Sequence, residues 1–296
     1  MTFVVVLLAY MVRRALDSRE RLDPDNPWRA LFRSGARVPS GREARRWPGI
    51  LLVLVPTLVL LVLSHWLRDS SWYALTYPLD LLILILLLGA PGWSGRLQAY
   101  AEAWQRGDMA AARHHVKDCL KERERGQANS PSELHLTLAR RFMTTMFERY
   151  FLLLFWYVVG GIAVAILVRG TLALRDHWPQ GAARPGFGRA ADLLAWLPAR
   201  LLSLSFGLAG DLAGWLSRGR PILVSLRSRP EEVLLQSADG ALTGYALDPK
   251  RFERLHPDQW LTFGDNSLTA IRNLLNRSLL VWICVFALLV IAGFSR

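Results

Sequence analysis

Five ionisable side chains stand where a chain rarely keeps charge. Asp80, Glu148, Asp192, Arg200 and Asp211 lie in or at the ends of apolar runs, where an unpaired charge costs at least about 2.5–3.5 kcal/mol on insertion scales. Such charges survive by pairing or by facing a wet cavity, so each is a candidate for ligand contact. Asp192 and Arg200 are eight residues apart in one apolar stretch, which on a helix puts them about 12 Å apart on nearly one face. They cannot pair directly at that distance, but with Trp196 between them they could flank a polar ligand or each meet a partner such as Glu148. A structural role for Arg200 has nearly equal standing: it could satisfy carbonyls freed near Pro198, which lacks an N–H, or snorkel to headgroups. Asp80 divides evenly between a ligand contact and a polar cap near the surface. The candidate ligand-binding set is Asp80, Glu148, Asp192, Trp196 and Arg200.

Other chemistry is sparse. The sequence has no G-x-x-x-x-G-K-[ST] phosphate loop, no dinucleotide fingerprint, no G-x-S-x-G elbow and no H-E-x-x-H pair. His115 and Cys119 share a helix face at i, i+4, yet two ligands do not make a metal site, and neither metal nor cofactor is expected. Cys119 and Cys284 are the two cysteines and cannot build a disulfide framework.

The elements that must position the five side chains are membrane helices. Of 296 residues 52% are hydrophobic and 12 are Trp, with mean hydropathy +0.21, and several apolar runs approach bilayer length. The fold class expected is all-α, a polytopic helical membrane protein of about five to six membrane segments. The runs are 2–12, 49–67 (with a kink at Pro56), 72–90, 151–168, 190–216 and 279–294. Segment 151–168 reads as one span with Gly160-Gly161 as a packing face. Segment 170–189 reads as an irregular extracytoplasmic loop, and 190–216 either spans or is re-entrant.

The net charge of +12 would suit nucleic acid, but no reading fold or aromatic-basic platform accompanies it. Its distribution explains it better. Regions 13–48, 91–141 and 217–277 hold 28 of the 36 basic residues, which places all three in the cytoplasm by the positive-inside rule. Within them Asp23-Pro24-Asp25-Asn26-Pro27-Trp28 reads as a turn leading into a short amphipathic piece, and Ser130-x-x-Glu133 as a capping box. The chain 1–296 is expected to form a single integral membrane domain.

Two blocks carry a resemblance. Leu154-Phe155-Trp156-Tyr157-Val158-Val159-Gly160-Gly161 is followed about thirty residues later by Phe187-Gly188-Arg189-Ala190-Ala191-Asp192-Leu193-Leu194-Ala195-Trp196-Leu197-Pro198-Ala199-Arg200-Leu201. This pattern resembles the inner-membrane family of AmpE and the cobalamin-pathway enzyme CbiB/CobD. For the AmpE branch the resemblance implies a bacterial inner-membrane protein linked to β-lactamase induction and cell-wall-fragment sensing. Its implied partners are the lipid bilayer, a cell-wall-derived or amphiphilic small ligand, and a second copy of the chain. For the cobalamin branch it implies a membrane enzyme related to adenosylcobinamide-phosphate synthase, which forms an amide bond. That branch carries Glu-Asn-x-x-Asp before the first block and N-T-x-D-S before the second. Here those positions fall on Thr144, Thr145 and Glu148, then on Leu172 and Arg175, so the resemblance favours the non-catalytic branch.

Overall fold

The computed structural model describes residues 2–17, 23–35, 46–69, 73–127, 130–225, 228–242 and 247–292. Among them the regular structure is entirely helical. The α-helices are α1 (Thr2–Asp17), α2 (Asn26–Gly35), α3 (Trp47–Asp69), α4 (Thr76–Leu87) and α5 (Trp93–Gln105). There follow α6 (Met109–Val116), α7 (Glu122–Gln127), α8 (Pro131–Met146), α9 (Leu152–His177) and α10 (Arg184–Ala209). The chain closes with α11 (Leu212–Val224), α12 (Pro230–Ala241), α13 (Pro249–Leu255) and α14 (Trp260–Ile291).

Among the described residues four helical stretches are long and apolar enough to cross a membrane: Trp47–Leu67, Pro131–His177, Gly181–Ala209 and Pro257–Ile291. Tyr73–Leu87 is a shorter apolar helix. The protein is a polytopic all-α membrane protein. It divides into two compact units, one of residues 1–91, 148–198 and 286–296, the other of residues 92–147 and 199–285.

In the first unit, α1 packs along α4 and α3 packs along α9. Small residues set the second contact: a Cβ on Gly170 would stand 2.5 Å from Val53, and one on Gly49 2.9 Å from Leu174. Bare glycine faces let helix backbones approach this closely in a bilayer.

The course of α9 departs from the single span expected over 151–168. Arg175 donates to Glu148 at 2.6 Å across 27 residues, a stretch that would measure about 40 Å in a straight helix. The chain therefore folds back on itself. The fold falls at Gly161, whose φ of 74° and ψ of −171° are not helical and whose positive φ a side chain would oppose. Thirteen residues separate Glu148 from Gly161, about 20 Å of helix, short of the about 30 Å hydrocarbon core. The two limbs, 152–160 and 162–177, form a hairpin that begins and ends at one level.

The expected loop over 170–189 is correspondingly reassigned. α9 stays helical to His177 and α10 starts at Arg184, with a 3-10 turn Gly181–Ala183 between them. This connection lies beside the N-terminal end of α3 and beside α2: the Trp178 ring is 5.7 Å from Phe32, and a Cβ on Gly186 would meet the Arg46 guanidinium at 2.9 Å.

The run 190–216 is broken rather than continuous, and the break falls in the second unit. α10 stops at Ala209, and Asp211 caps α11 by accepting from Ala213 N at 3.0 Å. α11 lies on α12 with backbones close: a Cβ on Gly214 would be 2.3 Å from the carbonyl oxygen of Gly240. The core of this unit is aromatic, with Trp104, Tyr100, Phe263 and a fully buried His135 bonded to Tyr100 at 3.1 Å and Ser267 at 2.8 Å. Asp108 caps α6, and Ser130 and Glu133 form the predicted capping box.

The hairpin makes a topological prediction. Arg33 and Ala182 are both exposed at the same end of α3. In a background with Cys119 and Cys284 replaced, R33C and A182C should react with an impermeant maleimide from the same side of the membrane. Labelling from opposite sides would restore a straight span through Gly161.

Candidate functional site

Between α8 and α9 the five residues Phe147–Phe151 form a π turn, a widened geometry that concentrates at functional sites. Three consecutive side chains leave this turn toward three different segments. Glu148 accepts both terminal nitrogens of Arg175, at 2.6 and 2.8 Å, and Arg175 also holds Asp176 at 2.9 Å. Arg149 donates to both oxygens of Asp25, at 3.0 and 2.5 Å. The Tyr150 hydroxyl donates to Asp17.

Asp25 is the most heavily engaged acid. Beyond Arg149 it accepts from Arg169 at 2.6 Å, and His177 Nε2 lies 3.4 Å away without hydrogen-bond geometry. Asp25 is 7% exposed and Arg169 1%. Burial alone would push the carboxyl upward; the His177 imidazole and the Arg149 guanidinium outweigh it and hold the group at about 2, below its ordinary 3.8.

Asp17 closes the other side of the site. It accepts from Arg13 Nε at 2.9 Å and from the Ala90 amide at 2.9 Å, while Arg13 also donates to the Ile85 carbonyl at 3.1 Å. Sequence reasoning has Arg13 and Arg14 ending an apolar run at Val12. The helix instead continues to Asp17, and Arg13 is fully buried. Its guanidinium sits where Gly89, with φ of 108°, leaves room: a Cβ there would be 1.9 Å from Arg13 Nε.

A hydrogen bond joins the two sequence blocks. Pro198 lies inside α10 and offers no N–H to the carbonyl four residues earlier. That carbonyl belongs to Leu194, and Trp156 Nε1 donates to it at 3.1 Å. The freed acceptor near Pro198 is thus satisfied by Trp156 and not by Arg200.

The predicted site residues scatter among these roles. Glu148 is in the π turn with Arg175. Asp80, half-buried in α4, accepts from Tyr157 at 3.0 Å. Asp192 is exposed on α10 and Trp196 half-buried. Both belong to the first unit. Arg200, in the second, donates to the carbonyls of Leu223 at 3.2 Å and Ser225 at 2.6 Å, closing the C-terminal end of α11 as a cation suits a helix C-terminus. These bonds send Glu148, Asp80 and Arg200 to three separate partners.

Sequence reasoning missed Asp17, Asp25, Arg149, Tyr150, Arg169, Arg175 and His177 as a group. The sequence offers no signal that separates them: charges at both ends of an apolar run with Gly160-Gly161 at its middle read the same for a straight span. Among the described residues no group of three His, Cys, Asp or Glu could hold a metal ion.

Two measurements probe this arrangement. Asp25→Asn leaves buried guanidinium charge less compensated and should cost about 3–5 kcal/mol, as removal of one partner from a buried pair does. Because the folded Asp25 titrates below its ordinary 3.8, its contribution is full above that value and fades as pH falls from about 3.8 toward 2, so acid unfolding of the wild type should lose this increment there and Asp25→Asn should not. Trp156→Phe should cost about 1–3 kcal/mol by orphaning the Leu194 carbonyl. Adding Pro198→Ala, which restores an N–H at that position, should recover part of the loss; additive losses would show that the bond is incidental.

The chain matches the family described as "Regulatory signalling modulator protein AmpE" over residues 1–250. It is also 29% identical over 168 residues to the cobalamin biosynthesis protein CobD of Stutzerimonas stutzeri (strain A1501), covering 54% of this chain and 52% of that protein. The chain thus spans about half the length of this curated relative. No solved structure matches it. With the family match running through the π turn, the hairpin and both motif blocks, the chain belongs to the AmpE family.

Proposed function

We infer that this is a regulatory protein of the bacterial inner membrane, linked to β-lactamase induction and cell-wall-fragment sensing, which binds a ligand or partner without transforming it. One observation carries the reading. At the positions matched to carboxylates of the cobalamin branch, Glu148 and Arg175 form a closed ion pair. An amide-forming enzyme needs a carboxylate that can hold a metal or move a proton. Glu148 is instead engaged on both oxygens by the Arg175 guanidinium.

In this reading regions 13–48, 91–141 and 217–277 face the cytoplasm, following the basic residues. An amphiphilic small ligand derived from the cell wall meets polar residues of the first unit, Asp80, Asp192, Trp196 and the paired Glu148, while Arg200 in the second unit serves the α11 carbonyls. Asp192 is the most accessible of them. The alternative, a membrane enzyme related to adenosylcobinamide-phosphate synthase, draws its support from the partial likeness to CobD.

Deletion of the gene should alter β-lactamase induction by a sublethal β-lactam, and unchanged induction would overturn the regulatory reading. Asp192→Ala, an exposed change that should leave the fold intact, should weaken that response at normal protein level; a full response removes Asp192 from the site. The gene should also fail to restore corrinoid-dependent growth to a strain lacking the cobalamin enzyme. Growth would favour the enzymatic alternative.

A further inference from the structure

Two of the membrane-crossing helices carry an internal proline, Pro198 in α10 and Pro56 in α3. Each brings no N–H to the carbonyl four residues earlier, and in a bilayer such a carbonyl has no water to turn to. In α10 the Trp156 indole answers the Leu194 carbonyl. In α3 the corresponding carbonyl belongs to Leu52, and among the described residues no side chain donates to it. A neighbouring hydroxyl is the usual local donor in a membrane helix, but both hydroxyls of α3 are engaged elsewhere. Thr57 donates to the Val53 carbonyl at 2.8 Å and Ser64 to the Leu61 carbonyl at 2.9 Å.

Leu52 and Pro56 line one groove of about 580 Å³, together with Leu51, Val55 and Val59 of α3 and Leu31 of α2, a volume within the roughly 300–1,000 Å³ of ligand pockets. The described residues that line it all carry apolar side chains. Val53 and Thr57 are buried on another side of α3, whereas Leu51, Val55 and Val59 are exposed, so the groove opens toward lipid. Its occupant must be apolar along its body and carry one hydrogen-bond donor. A charged donor is costly at bilayer depth. An amide N–H would bring a carbonyl to which these apolar side chains cannot donate. A hydroxyl brings a single O–H, and an aliphatic chain matches the leucine and valine walls. The Leu52 carbonyl lies about 6 Å along the helix from Pro48 at one end of the groove, and Val59 lies about 10 Å beyond it, which leaves room for such a chain.

We propose that this groove binds a hydroxyl-bearing aliphatic lipid, its chain against Leu51, Val55 and Val59 and its O–H donating to the Leu52 carbonyl. Asp80, Glu148, Asp192 and Trp196 do not line the groove, so this site is separate from the regulatory reading above.

The test uses the full chain in phosphatidylcholine nanodiscs and two photoreactive probes, dodecanol with a mid-chain diazirine and its methyl ether. Adducts are read by mass spectrometry, with the exposed Leu288 of α14 as internal reference. The alcohol should label Leu51, Leu52, Val55 or Val59 about fivefold more than the ether, the gain from one net neutral hydrogen bond. Pro56→Ala returns a backbone N–H to the Leu52 carbonyl and should bring the two probes to parity. Val55→Trp, an exposed change that fills the groove, should remove labelling by both probes at unchanged melting temperature. Equal labelling of the wild type by alcohol and ether would overturn the proposal, as would a preference that survives Pro56→Ala or labelling that survives Val55→Trp. Cross-linking of one chain to another through Val55→Cys, with Cys119 and Cys284 replaced, would put a second copy in the groove and equally overturn it.

Discussion

A buried charge must find its opposite, and in the first unit that requirement converges on three consecutive residues. Glu148, Arg149 and Tyr150 each answer to a different segment: the far limb of α9, the Asp23–Asp25 turn and α1. A regular α-helix would direct these side chains at about 100° intervals; the π turn widens the ring that carries them. Because each partner is charged or hydrogen-bonded to a charge, none can withdraw without leaving an uncompensated group behind, which costs far more than the pair itself contributes. The turn therefore fixes the relative positions of α1, the segment before α2, and both limbs of α9.

The hairpin at Gly161 is what makes that convergence possible. A straight helix through 148–177 would carry Arg169 and Arg175 away from Asp25 and Glu148. One residue with positive φ returns them to the level of the π turn. The same folding places Trp156 on the near limb, where its indole nitrogen reaches the carbonyl that Pro198 leaves open in α10. Two irregularities of opposite kind, a glycine break and a proline inside a helix, are thereby tied together, the limb before the break supplying the donor that the proline removes.

Much of the class was legible in the sequence because it rests on local quantities. Apolar run length, caps at Asp108 and Ser130, and the Pro-rich turn before Trp28 all follow from nearest-neighbour physics, and the helices they announce are present. The hairpin was not legible, because hydropathy sums over Leu152–Val168 in the same way whether the chain runs straight or doubles back. Arg13 was misplaced for a related reason. Charge after an apolar run reads as an exit to water unless a distant acceptor such as the Ile85 carbonyl is known. Arg200 was rightly suspected of holding carbonyls, but those it holds lie more than twenty residues away on α11, beyond any spacing rule. Of the candidate site, Glu148 alone sits at the centre of the buried network, and its partner Arg175 entered the sequence reading only as a lost carboxylate.

The Asp17 contacts also impose an order on biosynthesis. α1 is the first described helix to leave the ribosome, and it carries Arg13 and Asp17 toward the bilayer as an i, i+4 pair. The backbone groups that complete this pair, Ile85 and Ala90, are translated more than seventy residues later, and Tyr150 arrives 133 residues after Asp17. Until then the groups that complete the Arg13–Asp17 pair are absent from the nascent chain. A chain that ends before Tyr150 therefore lacks the last of the partners that α1 has in the folded protein.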